Sequence, residues 1–213
     1  MKNKKFLISI SILLVSQAFF YWFIKLFQTN PYYINYSLDK QIPFVPHFIY
    51  IYNLFYPFIF IAFYFLFKKD ENNYYQGIIA GIIGFLFCDL IYLYYPTIML
   101  RPPIPTNLDF LTELVVKITY LVDEPALNCF PSIHCLFCFQ IIFSYIKSTK
   151  INTKNKILAI ITSSLIIIST VLVKQHYVFD ISSAFLICII ANIITNITTI
   201  ANKFKNKIEA KLS

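Results

Sequence analysis

The sequence predicts an all-α membrane protein, organised as a bundle of six transmembrane helices with an active site at its extracytoplasmic face. Of the 213 residues, 58% are hydrophobic and only 13% are charged, whereas about a quarter of a typical soluble domain is charged. Six apolar stretches come near the length of about 20 residues that a helix needs to cross a bilayer. The lysines are concentrated in alternate connections between these stretches.

The six apolar stretches follow one another along the chain, so we expect a single membrane domain over residues 1–213. The first follows "MKNKK" and has a signal-peptide-like "SQA", but its apolar run continues through "FFYWFI", which favours an uncleaved helix. The last two form one run that is too long for a single span, so we expect a turn near Lys174–Gln175. The stretches cover about residues 6–27, 47–67, 76–96, 130–146, 157–173 and 177–201.

The basic residues are divided unequally between the two sides of the predicted membrane. The larger group is Lys2, Lys4, Lys5, Lys68, Lys69, Lys147, Lys150, Lys154, Lys156, Lys203, Lys205, Lys207 and Lys211; the smaller is Lys25, Lys40, Arg101, Lys117 and Lys174. The positive-inside rule puts the larger group, and with it both termini, in the cytoplasm. We therefore expect a multi-pass protein of the cell membrane. Because this sorting accounts for the net charge of +8, the charge gives no reason to expect nucleic-acid binding.

Three loops are expected on the outer side, and the middle one is long. They cover about residues 28–46, about residues 97–129 and the turn near Lys174. The middle loop contains "LDFLTELVVKITYLVD" (108–123), which mixes apolar and polar residues as an amphipathic helix does. We expect a short helix at 108–123 that lies at the membrane interface or covers a site as a lid.

The five cysteines do not predict a metal site. Cys135 and Cys138 form a C-x-x-C pair, but no second pair or histidine cluster accompanies it, as a zinc site would require. Most of the cysteines lie within apolar runs, where they are expected to be small buried residues. We therefore expect neither a metal nor another cofactor.

Polar side chains capable of phosphate chemistry occur in two clusters on the predicted outer side. Arg101, in "YYPTIMLRPPIP", offers a permanently charged fork of donors that suits a phosphate group. In "NCFPSIHC", Pro131 and Ser132 are typical of a helix start, with free N–H groups and a hydroxyl directed outward. His134 would lie in the first helical turn, where it could exchange protons with a bound group.

A third cluster, "STVLVKQHYVFD" (169–180), places three ionisable residues in an otherwise apolar run. The spacing of His176 and Asp180 puts them on one face if they begin a helix. A carboxylate there can accept the proton of one ring nitrogen and leave the other free, as in an activated nucleophile. Lys174, in the turn, could reach the same anion.

These three clusters, in this order and distributed over six spans, resemble the motifs of the type-2 phosphatidic acid phosphatase superfamily. The matching elements are R-P, P-S-x-x-H and S-x6-H-x3-D, and the resemblance covers about residues 75–200, the expected catalytic core. The superfamily comprises membrane lipid phosphatases and phosphotransferases. The resemblance implies that His176 attacks phosphorus while Asp180 orients its ring. It also implies that His134 protonates the leaving oxygen, and that Arg101 and Ser132 hold the phosphoryl oxygens without a metal.

The sequence departs from that pattern at two positions where the superfamily has cations. Tyr94 stands at the position of a lysine, and Thr170 at that of an arginine. The form "ST…VKQHY..D" is similar to inositol phosphorylceramide synthases, which pass a phospho-headgroup to another alcohol. We hypothesise that Lys174 replaces one of the missing cations.

Three functions remain open on the sequence. The first is a lipid phosphatase acting on phosphate monoesters or pyrophosphates of lipids, with a lipid phosphate and membrane lipids as its partners. The second is a phospho-headgroup transferase, which would use the same residues. The third, from another class, is a non-catalytic lipid-binding or transport protein; an inactive relative of the enzymes is a variant of it.

Two further polar residues lie within or beside the apolar stretches. Asp89 falls inside the third stretch, and an intramembrane carboxyl is a functional candidate. The alternative is a protonated carboxyl that makes a structural hydrogen bond. His47 follows Pro46 at the start of the second stretch, where packing at the interface is favoured over contact with the substrate.

Overall fold

Helices account for most of the fold in the computed structural model, which describes residues 2–34 and 37–212. Continuous apolar sequence forms helices because a helix satisfies all its backbone polar groups internally. The helices are α1 (Lys2–Lys25), α2 (Ser37–Gln41), α3 (Ile49–Asn53), α4 (Phe55–Lys69), α5 (Glu71–Tyr94), α6 (Phe110–Val122), α7 (Ile133–Lys147), α8 (Thr153–Leu172), α9 (Val178–Ile197) and α10 (Ile200–Ala210). A 3-10 turn at Pro46–Phe48 precedes α3, and the two short strands are β1 (Tyr32–Tyr33) and β2 (Thr97–Ile98).

Within residues 2–34 and 37–212, five helical segments are long and apolar enough to cross a membrane, as expected of a multi-pass membrane protein. They are Asn3–Lys25, Pro46–Lys69, Glu71–Tyr94, Thr153–Leu172 and Val178–Ile197. Each overlaps one of the predicted stretches. The chain also turns between the last two, as the length of their common apolar run predicted.

The fourth predicted stretch, 130–146, forms a shorter helix. α7 has 15 residues, which at about 1.5 Å per residue span roughly 22 Å, less than the hydrocarbon thickness of about 30 Å. It is nevertheless central, because it packs against α4, α5, α8 and α9. A sixth span through α7 stays a prediction.

Small residues allow α5 and α7 to approach each other closely. A Cβ atom added to Gly84 would lie 3.0 Å from Cδ1 of Leu136, and one added to Gly77 would lie 2.8 Å from Oγ of Ser144. Close contact between helix backbones through small residues is a common way to pack membrane helices. The resulting core contains fully buried Tyr92 and Phe137.

Polar caps move the helix ends away from the ends of the apolar stretches. Asp70 accepts the N–H of Asn73 and begins α5 five residues before the predicted stretch, and Asn152 likewise caps α8. The stretch predicted at 177–201 is also divided, because α9 ends at Ile197 and α10 begins at Ile200. Hydropathy locates apolar sequence, whereas capping groups locate the ends of helices.

The two ends of the helix bundle differ in their charged contacts. At one end, Lys5 pairs with Glu209 at 3.0 Å and Lys205 donates to Asn72 at 2.8 Å, so α1 begins near α10 and the start of α5. The opposite end carries the β1–β2 pair and α6. α6 lies within the range 108–123 in which a short helix was predicted, and Val116 on it is buried. Its position at the membrane interface stays a prediction.

Candidate active site

Two hydrogen-bond acceptors hold the His176 ring at one nitrogen. Nδ1 lies 2.9 Å from the main-chain oxygen of Cys129 and 3.3 Å from Oδ2 of Asp180. Because a carbonyl and a carboxylate only accept, Nδ1 carries a proton, and in the neutral ring Nε2 is the nitrogen with the free lone pair. Nε2 has no hydrogen-bond partner in the part of the chain that the structure describes. The ring is thus arranged as that of an activated nucleophile.

Asp180 holds both this ring and the start of α9. Its Oδ2 accepts the N–H of Tyr177, the N-cap, at 2.8 Å, and its main-chain oxygen accepts the N–H of Ser132 at 3.2 Å. His176 precedes the cap, so the prediction that it lies in the helix is wrong. The pair still forms, because a carboxylate at the third helical position points back toward the chain before the helix.

His134 enters the site from the first turn of α7, where the sequence predicted it. Its ring centroid is 5.7 Å from that of His176, so one phosphoryl group could contact both rings. The ring packs against Tyr52 and Phe55, with centroid distances of 4.8 and 4.4 Å. These aromatic contacts restrict its orientation.

Ser132 is the N-cap of α7, and its Oγ accepts the N–H of Cys135 at 3.2 Å. Pro131 therefore lies before the cap and not in the first helical turn, where it was predicted. The Ser132 side chain is fully buried and holds the helix start that carries His134. Its role as a phosphate ligand stays a prediction.

Arg101 approaches His176 through Gln175. Its Nη2 donates to Oε1 of Gln175 at 2.9 Å and to Oδ2 of Asp123 at 2.8 Å, and its Nη1 donates to the main-chain oxygen of Tyr120 at 3.0 Å. The guanidinium carbon also lies 4.6 Å from the centroid of the Tyr120 ring. Burial raises the pKa of Tyr120 to about 12, so its hydroxyl stays protonated. The guanidinium is therefore held in place next to Gln175, the residue that precedes His176.

Lys174 lies in the turn between α8 and α9 with a left-handed backbone, at φ 54°. Its Nζ donates to the main-chain oxygens of Ile42 at 2.6 Å and Asp39 at 3.2 Å. Burial lowers the pKa of Lys174, and the nearby Asp39 carboxylate opposes that shift. Oδ1 of Asp39 in turn accepts the N–H of Val178, at the start of α9. Lys174 thus joins the 39–42 segment to the site, and phosphate binding by it stays a prediction.

The two positions that lack the expected cations have different surroundings. Tyr94 ends α5 and is 81% exposed. Thr170 is fully buried, and its main-chain oxygen accepts the N–H groups of Gln175 and His176 at 2.9 and 3.1 Å. The second position therefore shapes the turn that carries His176.

Asp89 and His47 lie outside the cavities that contain the histidine pair. Asp89 is 5% exposed, and neither of its carboxylate oxygens has a partner among the described residues. The predicted alternative, a structural hydrogen bond, is thus not observed. His47 lies 3.4 Å from Oδ2 of Asp109, and both side chains are exposed.

Two cavities meet at His176. The first, of about 290 Å³, is mainly apolar and is also lined by His134, Tyr52, Tyr56, Trp22 and Asp123. Because Trp22 on α1 and Tyr56 on α4 are 46% and 65% exposed, this cavity reaches the surface between these helices. The second, of about 440 Å³, is lined by Arg101, Lys174, Lys40 and Asp39.

Four groups of the site were not singled out by the sequence. They are the carboxylate of Asp123, the amide of Gln175, the main-chain oxygen of Cys129 and the ammonium of Lys25, which lies 3.1 Å from Asp123. Asp123 ends the predicted helix 108–123, and Lys25 belongs to the basic group predicted outside. No spacing in the sequence connects these two residues, and a main-chain oxygen leaves no signal in it.

The comparisons with known proteins identify no relative: no family model, curated protein or solved structure matches this chain.

Proposed function

We propose that this protein is an integral-membrane lipid phosphatase, which cleaves phosphate monoesters or pyrophosphates of lipids through a phosphohistidine at His176. The observation that carries the proposal is the state of His176. Its Nδ1 is held by two acceptors, its Nε2 is unpartnered among the described residues, and the His134 ring is 5.7 Å away beside an apolar cavity. The motif order that resembles the type-2 phosphatidic acid phosphatase superfamily adds support.

In the first step, Nε2 of His176 attacks phosphorus and the bond between phosphorus and the lipid oxygen breaks. Protonated His134 gives its proton to that oxygen, so the lipid alcohol departs neutral. The Asp180 carboxylate stabilises the positive charge that develops on the His176 ring. Arg101 and Ser132 are the groups proposed to hold the phosphoryl oxygens, where cationic donors stabilise the transition state.

In the second step, neutral His134 takes a proton from water, whose oxygen attacks the phosphohistidine. The bond between nitrogen and phosphorus breaks, inorganic phosphate leaves, and His176 is regenerated with its lone pair. The proton that His134 gave up in the first step is thereby restored. The proposal includes a site at the extracytoplasmic face of the cell membrane, with α7 as the sixth span.

A headgroup transferase is the second candidate, and the second cavity is the observation that favours it. Because His176 lines both cavities, a lipid in one and an acceptor alcohol in the other would reach the same phosphohistidine. An alcohol would then replace water in the second step. The chemistry of the first step would not change.

The test is turnover of labelled phosphatidic acid and labelled isoprenyl pyrophosphate by the purified protein in liposomes. We expect wild-type protein to release inorganic phosphate and His176→Ala to lose this activity. His47→Ala is the matched control, since His47 lines neither cavity. A base-stable, acid-labile label on the wild-type protein would identify the phosphohistidine.

The same assay separates the three functions. Adding diacylglycerol should leave phosphate release dominant for a phosphatase, whereas a new labelled phospholipid would indicate a transferase. If wild type and His176→Ala bind the lipid equally and neither turns it over, the protein is a lipid-binding or transport protein and the catalytic proposal fails.

A further inference from the structure

The carboxylate of Asp123 bridges two buried cations. Its Oδ1 lies 3.1 Å from Nζ of Lys25, and its Oδ2 lies 2.8 Å from Nη2 of Arg101. The side chains of the two cations are 7% and 8% exposed, whereas that of Asp123 is 27% exposed. Lys25 comes from the last turn of α1, and Asp123 follows α6. We call these three residues the Asp123 cluster.

The Asp123 cluster faces the histidine pair. Asp123 lines the 290 Å³ cavity together with His134 and His176, and Arg101 lines the 440 Å³ cavity that His176 shares. Gln175, the residue before His176, accepts a hydrogen bond from Arg101 at 2.9 Å. Arg101 therefore borders a cavity that also contains the nucleophile, whereas Lys25 lines neither cavity and meets the site through the Asp123 carboxylate.

The charges of the Asp123 cluster do not balance. Lys25 and Arg101 are two buried cations against a single bridging carboxylate. A second carboxylate, Glu124, lies 3.6 Å from Nη1 of Arg101, but it is 67% exposed, and exposed ion pairs are weakened by solvent. Nε of Arg101 also has no partner among the described residues. Buried cations with donors to spare favour the binding of an anion.

We propose that Lys25 and Arg101 form a two-cation clamp for the phosphate of the substrate, and that Asp123 occupies this clamp when no phosphate is bound. This inference rests on the proposed function. It assigns Lys25 as a replacement for one of the two cations that the superfamily has at the positions of Tyr94 and Thr170. A phosphate monoester carries about −1.5 to −2 charges at neutral pH, against −1 on Asp123. Because Asp123 is partly exposed, its carboxylate can turn into water when phosphate replaces it.

Trp22 provides a local reporter of this exchange. It is the only tryptophan in the sequence, it lines the 290 Å³ cavity, and Nζ of Lys25 lies 4.9 Å from the centroid of its ring. Movement of Lys25 from this ring onto a phosphate changes the electric field at the indole. Binding at the clamp should therefore change tryptophan emission.

The experiment titrates the full-length protein in detergent micelles with inorganic phosphate at constant ionic strength, with chloride as the control anion. Calorimetry measures the affinity for phosphate, and Trp22 emission shows whether the phosphate binds beside Lys25. We expect Lys25→Met to weaken phosphate binding about tenfold, the loss of one charge-assisted contact. Asp123→Asn should tighten binding severalfold because it frees both cations. Lys117→Met should change neither, since Lys117 is exposed and pairs with Glu113 on α6.

The sign of the Asp123→Asn effect decides the inference. If Asp123 only supported the fold, its loss would loosen both cations and weaken binding, which would overturn the clamp. Wild-type binding without a change in Trp22 emission, or undiminished binding by Lys25→Met, would overturn it as well. Should Lys25→Met fail to fold, Lys25→Arg, which keeps the charge, must still bind phosphate with a change in Trp22 emission, and loss of that binding would overturn the clamp.

Failure of the clamp is distinguishable from failure of the proposed function, because phosphate binding is measured without turnover. Turnover that depends on His176, together with undiminished phosphate binding by Lys25→Met, rejects the clamp alone. Binding with the expected signs, but without turnover that depends on His176, rejects the phosphatase alone.

Discussion

Two groups of polar side chains that include residues of α7 are satisfied in different ways. At the midpoint network of Gln140, Ser144 and Asn192, the Gln140 amide donates to Ser144 at 3.2 Å, and its oxygen accepts from Asn192 at 2.9 Å. At the beginning of the helix, His134 lies beside His176, whose Nε2 faces no protein partner in the described ranges. None of the midpoint residues lines either of the two cavities described above.

This difference distinguishes polar groups that hold helices together from polar groups that are free to react. Amides that satisfy one another between α7 and α9 hold the helices together. A ring nitrogen with a free lone pair beside a cavity is available to react. The comparison predicts that changes at the histidine end alter turnover, whereas changes at the midpoint network alter stability.

The largest effect is expected for His134→Gln. We expect kcat to fall by about 10² to 10⁴-fold, the usual contribution of a general acid, with an unchanged melting temperature. With p-nitrophenyl phosphate, whose leaving group departs without a proton, the rate of the first turnover should fall much less. Equal losses for this ester and for a lipid phosphate would show that His134 does not protonate the leaving oxygen.

A smaller effect, of the opposite kind, is expected for Gln140→Leu. Loss of its contacts with Ser144 and Asn192 should lower the free energy of unfolding by about 1–2 kcal/mol and leave kcat unchanged. Thermal melting in detergent and liposome turnover measure the two quantities. Adding Asn192→Leu should restore part of the stability, since no unpaired amide then remains. A fall in kcat without a fall in stability would contradict the distinction between the midpoint network and the histidine end.

The smallest effect is expected for Lys174→Asn. Asparagine tolerates the left-handed backbone at φ 54°, so this change removes the ammonium without straining the turn. Because Nζ already donates to two main-chain oxygens, we expect kcat/KM to change by less than about threefold, below the usual value of a charged hydrogen bond. A larger loss, with Lys174→Gly equally impaired, would support the hypothesis that Lys174 binds phosphate.

Sequence patterns anticipated the helices better than the site. Composition and stretch lengths were sufficient to locate, among the described residues, the five helical segments that are long and apolar enough to span a membrane, because burying apolar sequence is a local requirement. The motif residues His134, His176 and Asp180 do meet, although His176 precedes its helix instead of belonging to it. The start of α7 at the Ser132 cap and the break before α10 were not anticipated, because hydropathy does not locate the ends of helices.

The sequence by itself determined which segments are apolar, which turn carries the polar cluster 169–180, and which histidines could react. Only the tertiary structure decided that Arg101 meets a carboxylate 22 residues away and that Lys25 meets the same carboxylate across 98 residues. Helical periodicity relates neighbours three or four residues apart. Contacts between distant residues depend on how helices pack, and packing also left the two cavities that meet at His176.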